Sequence, residues 1–286
     1  MKIFTSISTL QNDLAAARSG GSTIGLVPTM GALHEGHGSL IKAACAENDY
    51  VVVSNFVNPT QFGPNEDLAA YPRDLEGDCR LAEQIGAQAV FAPAVEDMYP
   101  EGSAAWVEVT GRLTSILCAR TRPTHFRGVT TVVAKLFNLV GPCRAYFGQK
   151  DGQQAQVVRR MIQDLFMPIE MRIMPIIREA DGLALSSRNA YLSPSEREAA
   201  LVLPRALIGA RDMIEGGEKN KGRILAFIRD RIASEPLGRL DYAEIYKFPS
   251  LEELPESISG KIFIAAAVKF GGARLIDNQV VESPTA

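Results

Sequence analysis

The chain has 286 residues, 46% of them hydrophobic and 22% charged, with a formal net charge of −3 and a mean hydropathy of +0.01. These values describe a globular chain able to bury a core, in two domains or in one large α/β domain with an appendage, and they exclude a chain that is disordered throughout. The acidic balance also excludes a generic binder of nucleic acid or anionic membrane, which relies on surplus Lys and Arg, so an anionic ligand must meet a local basic cluster.

At the N-terminus, MKIFTSISTLQNDLAAARSGG breaks a short apolar stretch with Thr5 and Ser6, then reads as an amphipathic helix closing at Gly20 and Gly21. No signal-peptide pattern is visible. From residue 22 to 176, STIGLV, YVVVSNF, AQAVFAP, RAYFG and MRIMPII read as strands. They alternate with the helical segments GSLIKAACAEN, DLEGDCRLAEQIG, VTTVVAKLFNLV and DGQQAQVVRRMIQDLF. This alternation predicts βαβ units and a mainly parallel, Rossmann-like sheet over residues 1–176. Beyond it, SPSEREAALVLPRALIGARDMIEGG and KGRILAFIRDRIASEP read as helices, and DYAEIYK, KIFIAAAVKF and ARLIDNQVV as strands, predicting a smaller α+β domain over 177–286. The longest apolar runs, YVVVSNFV and IFIAAAV, fall far short of the ~20 residues that cross a bilayer, so no membrane partner and a cytoplasmic location are expected. Cys45, Cys79, Cys118 and Cys143 are scattered, without C-x-x-C, and are expected to be reduced thiols.

Ligands of open parallel sheets bind at the carboxyl ends of the strands. There, VPTMGALHEGHGSLI carries two of the chain's three histidines, His34 and His37, between glycines. A P-loop fails because His37 stands where Lys is needed and Gly38 replaces the Ser or Thr that would hold Mg²⁺. A zincin needs histidines four apart and a third ligand, and no dinucleotide fingerprint is present, so neither a resident metal nor NAD is expected. What remains is H-x-G-H, in which two imidazoles and a helix N-terminus can face phosphate and Gly36 admits close approach. A plain helix cap stays open for this motif alone. READGLALSSRN adds Ser186, Ser187 and Arg188, two hydroxyls and a forked cation suited to phosphates, or else another cap. AYFGQKDGQQ adds Lys150 and Asp151 after a strand.

An H-x-G-H after the first strand and a serine-basic loop after the last resemble the HIGH and KMSKS pair of the nucleotidyltransferase superfamily. More closely, VPTMGALHEGH, FVNPTQFGPNEDLAAYPRD, RPTHFRGVTTVVAKL, FGQKDGQQ and READGLALSSRNAYLS, in this order, resemble the pantoate–β-alanine ligases, with a weaker continuation at RLIDN, 274–278. That resemblance implies ATP-dependent formation of a pantoyl adenylate and its capture by β-alanine. It also implies a homodimer, while Mg²⁺ is expected from the charge of ATP, and a second domain closing over the ATP site from candidate phosphate-binding groups on both sides of residue 176. Met30, Gly31, Ala32, Leu33, His34, Glu35, Gly36 and His37 would line ATP, with the two histidines on its phosphates and His37 as proton donor. Gly148, Gln149, Lys150 and Asp151 would hold ATP, with Lys150 beside the transferred phosphoryl group. Leu185, Ser186, Ser187 and Arg188 would cover the phosphates, and the backbone near Ile177 would meet adenine. Gln61, Gln154 and Asn58 would bind pantoate, Gln61 also orienting β-alanine.

Gln149, Gly152, Thr60 and Leu185 depart from the family pattern, which has Glu, an aromatic, Met and Met there; Gly152 is expected to leave a small void or a looser turn. His125 is a site or lid residue or a structural one, and Tyr71 and Phe62 either wall the pantoate pocket or belong to the core. Two competing readings are a nucleotidyltransferase that stops at AMP or CMP transfer, and a nucleotide-sensing scaffold with a decayed site.

Overall fold

The computed structural model describes residues 1–64 and 66–284; Asn65, inside the FVNPTQFGPNEDLAAYPRD motif, lies outside them. The Cα positions group into two compact units, one of Met1–Gly148 with Val157–Pro175 and one of Gln149–Gln156 with Ile176–Ala286. The segment around Lys150 thus belongs with the second unit, an excursion that a single linear boundary at residue 176 does not express.

The first unit opens on β1 (Lys2–Phe4), followed by α1 (Ile7–Ser19), β2 (Ile24–Thr29), α2 (Glu35–Glu47), β3 (Tyr50–Asn55), α3 (Leu75–Ile85) and β4 (Ala89–Phe91). Two short helices, α4 (Val95–Met98) and α5 (Cys118–Thr121), precede α6 (His125–Val140), β5 (Cys143–Gly148), α7 (Gly152–Asp164), whose first residues to Gln156 belong to the second unit, and β6 (Ile169–Met174). The six strands form one sheet in the order β1-β4-β3-β2-β5-β6, and every neighbouring pair is parallel. The strands alternate their burial between two helical layers. Val51 and Val53 pack with Leu40, Ile41 and Ala44 of α2 and with Cys79 and Ala82 of α3. Val52 turns the other way, into a cluster with Leu10 and Leu14 of α1 and Val129, Val133 and Phe137 of α6. Apolar side chains on both faces are what a central parallel strand requires.

α1 ends at Gly20, whose N–H reaches Ala16 O, as the sequence predicts. β1 escapes sequence analysis because three residues carry no periodicity; pairing with Ala89–Phe91 makes it a strand. β6 stops at Met174, short of the predicted MRIMPII, since Pro175 has no N–H to continue the ladder. Strands β2, β3 and β4 step outward and the chain then returns to lay β5 beside β2. The switch point therefore lies between β2 and β5, where the residues that follow β2 are placed to meet a ligand. At the opposite ends of the strands, Arg144 and Arg172 pair with Glu170 at 2.9 and 2.5 Å, and Arg172 also reaches Glu47 at 2.9 Å.

In the second unit, α8 (Pro194–Ala199), α9 (Val202–Glu215) and α10 (Lys221–Ala233) are followed by β7 (Gly238–Lys247), β8 (Gly260–Phe270) and β9 (Ala273–Ser283). These strands form an antiparallel sheet in the order β7-β8-β9. One face of the sheet, carrying Ile262, Ile264, Ala266, Val268 and Leu275, packs on Leu203, Leu207, Ile224 and Ile228 of the helices. The single helix predicted over 193–217 is two: it breaks at Ala200 and Leu201, and Pro204 sits in the first turn of α9, where its missing N–H removes no helical bond.

Candidate active site

In the first unit, the loop after β2 is held from three sides. Thr29 Oγ1 donates to Ser54 O at 2.6 Å and accepts from Gly31 N at 3.1 Å. Gly31 (φ +80°) and Ala32 (φ +50°) are both left-handed, and a Cβ on Gly31 would lie 2.4 Å from Asn55 Oδ1. Only glycine fits that position. The buried carboxylate of Asp78, on α3, accepts from Ala32 N at 2.9 Å, Leu33 N at 2.6 Å and Asn55 Nδ2 at 2.7 Å.

The histidines then begin α2 as a capping box. His34 Nδ1 accepts from Gly36 N at 3.1 Å, His37 Nδ1 accepts from His34 N at 3.4 Å, and the ring centroids are 4.1 Å apart. Capping, one of the alternatives open in the sequence, engages Nδ1 of each ring. With each Nδ1 accepting, the hydrogen of a neutral ring sits on Nε2, and the helix dipole adds positive potential at the same end.

The amide residues of the first unit form a second cluster. Gln61 Oε1 accepts from Asn58 Nδ2 at 3.1 Å, and its Nε2 donates to Met30 Sδ at 2.9 Å. Asn58 Nδ2 also reaches Gly128 O at 3.1 Å, while its Oδ1 accepts from Tyr99 Oη and Thr60 Oγ1, both at 2.9 Å. Thr60 thus contributes a hydroxyl bond that no thioether could supply. The buried His125 supports Gln61 through the main chain: its Nδ1 lies 2.9 Å from Gln61 O, and its Nε2 lies 3.1 Å from Arg122 Nη1. Arg122 grips Glu66 with Nε at 2.7 Å and Nη2 at 2.6 Å. Burial acts to raise the Glu66 carboxyl, but the Arg122 guanidinium outweighs it and holds the group below the ordinary carboxylate range. Tyr71 is buried against Phe62, with ring centroids 5.8 Å apart.

In the second unit, Lys150 Nζ lies 3.6 Å from Asp151 Oδ1. The expected void at Gly152 is absent: a Cβ there would lie 2.8 Å from the Phe263 ring, which already fills the space. The chain turns at Asp181 and Gly182, with Gly182 at φ +97°, and Leu185 N donates to Ile177 O at 3.0 Å. Ser186 does cap, accepting from Arg188 N at 3.3 Å at the start of a 3-10 turn over Ser187–Tyr191. Gln154 is half-buried near the start of α7. Among the described residues no cluster of three or more His, Cys, Asp or Glu could hold a metal ion, and no helix is long and apolar enough to cross a membrane.

The sequence model of the family described as pantoate-beta-alanine ligase matches residues 2–280. The chain belongs to this family. Named pantothenate synthetases from Moorella thermoacetica and Acetivibrio thermocellus are 56% and 52% identical to it over 282 residues, covering 99% of the chain and 99% and 100% of those proteins. The crystal structure of pantothenate synthetase from Thermus thermophilus superposes with a TM-score of 0.92 at 46% identity, over 98% of this chain and 99% of that one. The pantoate-beta-alanine ligase from Francisella tularensis, complexed with Beta-gamma ATP and Beta-alanine, superposes with a TM-score of 0.80 at 33% identity, over 98% and 97%.

As a pantoate–β-alanine ligase, the chain carries parts that sequence analysis missed. Asp78 and Asn55, which brace the histidine loop, are 46 and 23 residues from their partners, and nothing local distinguishes Asp78 from its exposed helical neighbours. A faint signal was available in the spacing of α3, where Asp78, Cys79 and Ala82 share the buried side of an amphipathic helix.

Proposed function

We propose that the chain condenses pantoate with β-alanine at the expense of ATP in two steps. The pantoate carboxylate attacks the α-phosphorus, giving pantoyl adenylate and pyrophosphate; the β-alanine amine then attacks the acyl carbonyl, forming the amide, losing a proton and expelling AMP. Family membership supports the overall reaction, and the Francisella ligase complex supports ATP and β-alanine as ligands.

The observation that carries the residue assignment is the imidazole capping box at the start of α2, with both Nδ1 atoms engaged in the cap. Nε2–H of His34 and His37 donate to phosphate oxygens, His37 serving the departing pyrophosphate, and residues 30–37 line the nucleotide. Gly148, Gln149, Lys150 and Asp151 hold ATP, Lys150 neutralising charge on the transferred phosphoryl group. Leu185, Ser186, Ser187 and Arg188 add phosphate contacts, and the Ile177 main chain meets adenine. Catalysis of this kind is positioning plus positive donors. Asn58, Gln61 and Gln154 bind pantoate as neutral amides, which hold hydroxyls and carboxylate without trapping the carboxylate in an ion pair. ATP enters with Mg²⁺, as its charge requires, and the working form is a cytoplasmic homodimer.

Isotopic exchange of pyrophosphate into ATP tests this reading: it should require pantoate and not β-alanine, and AMP release should require both. Exchange that ignores pantoate overturns the order of steps. AMP transfer without dependence on the amine would instead favour a simple nucleotidyltransferase.

A further inference from the structure

The RLIDN stretch near the C-terminus takes no part in the roles assigned above, yet it holds two of the most deeply buried polar side chains in the second unit, Asp277 at 2% and Asn278 at 3% exposure. Consecutive strand residues face opposite sides of a sheet, and the register shows which side each takes. Asp277 pairs with Ala266, on the face that packs against the helices; Asn278 pairs with Ala265, on the face that carries Phe263.

Each residue grips a different segment. Asp277 receives a forked pair of bonds from Arg178 at 2.7 and 2.9 Å, and Arg178 also donates to Gly182 O at 3.1 Å, fixing the turn that leads into Ser186–Arg188. Asn278 closes on the Lys150 turn. Its Nδ2 donates to Gln149 O at 2.9 Å and to Lys150 O at 3.0 Å, and its Oδ1 accepts from Gln149 Nε2 at 2.8 Å. The amide is satisfied in three directions by one turn of three residues. The Phe263 ring packs on the next residue, Gly152, so closely that a Cβ there would lie 2.8 Å from it and the ring would have to shift. Lysine is a point charge on a flexible stem, so the position of its main chain decides where the ammonium can reach.

We infer that Asn278 is a positioning residue for the ligase reaction, holding the main chain of Lys150 in register while its neighbour Asp277 fixes the 178–182 turn through Arg178. The inference rests on the role proposed for Lys150 above. In this role Asn278 acts through the Gln149–Lys150 turn that it binds, and on the rate of transfer through Lys150.

That restriction gives a test in the full-length enzyme. Asn278→Ala should lower the rate of pantoate-dependent pyrophosphate exchange, per active site titrated by the pyrophosphate burst, by about 10- to 100-fold. The KM for pantoate should change by less than about 3-fold, because the pantoate contacts lie elsewhere. In the Lys150→Ala background, Asn278→Ala should cost no more than about 2-fold further, since residues acting as a unit are not additive. Multiplicative losses in the double variant, or an Asn278→Ala enzyme with a normal rate per active site, overturn the inference. If Asn278→Ala fails to fold, Asn278→Ser, which keeps a hydroxyl donor, carries the same comparison. A normal rate in Lys150→Ala itself would overturn the assignment of Lys150, and a wild-type enzyme without exchange would overturn the reaction; both are read separately from the double-variant comparison.

Discussion

Asp78 shows how much a single buried carboxylate can organise. Its two oxygens serve two backbone N–H groups of a loop with a left-handed alanine, plus the Asn55 amide that abuts Gly31. Asp78→Ala should leave those donors unpaired, lowering stability by about 1–3 kcal/mol in urea unfolding. The same substitution should slow pyrophosphate exchange by about 10-fold or more, as the loop drifts from its productive position. Glu66 offers a pH test. Because its folded carboxyl titrates below the ordinary range, its contribution is fully present above the unfolded value of about 4.3 and is lost as the pH falls through the lower folded value. Glu66→Gln should therefore cost about 1.5–3 kcal/mol at pH 7, and its unfolding midpoint should converge with wild type in acid. His34, His37, Lys150 and Gln61 stood out in the sequence as candidates because each sits in a short polar motif beside a predicted strand. Asp78, Phe263 and Asn278 were not, because their work consists of contacts with residues distant in the chain.

At the scale of elements, the parallel sheet was readable from apolar runs alternating with helical periodicity, and the errors have local causes: too few residues in β1, a proline after β6, and a helix broken before Pro204. The packing of α6 was not readable. A Cβ on Gly128 would lie 2.5 Å from Thr60 O and 2.6 Å from Gln61 N, so this helix meets the 3-10 turn of Pro59–Gln61 backbone to backbone. Main-chain atoms cannot swing aside as a long side chain would. Gly128→Ala should push that turn away and weaken pantoate binding by about 10-fold or more while ATP binding persists; calorimetry with each ligand separately checks the expectation.

Across the whole molecule, each unit carries its own apolar cluster, which is why the change of pattern near residue 176 was visible. The return of Gln149–Gln156 to the second unit was not, since no shift in composition marks it. Sedimentation equilibrium should give twice the chain mass for the proposed homodimer; a monomer at micromolar concentration would remove that proposal. A sheet whose strands all run one way also divides the labour of its two rims. The loop with His34 and His37 leaves the carboxyl end of β2, whereas Arg144, Arg172, Glu170 and Glu47 exchange ion pairs at the other end. None of the site residues proposed above comes from that lower rim, so Glu170→Gln should leave the rate of pyrophosphate exchange unchanged, and a clear loss of rate would show that the rim takes part in turnover.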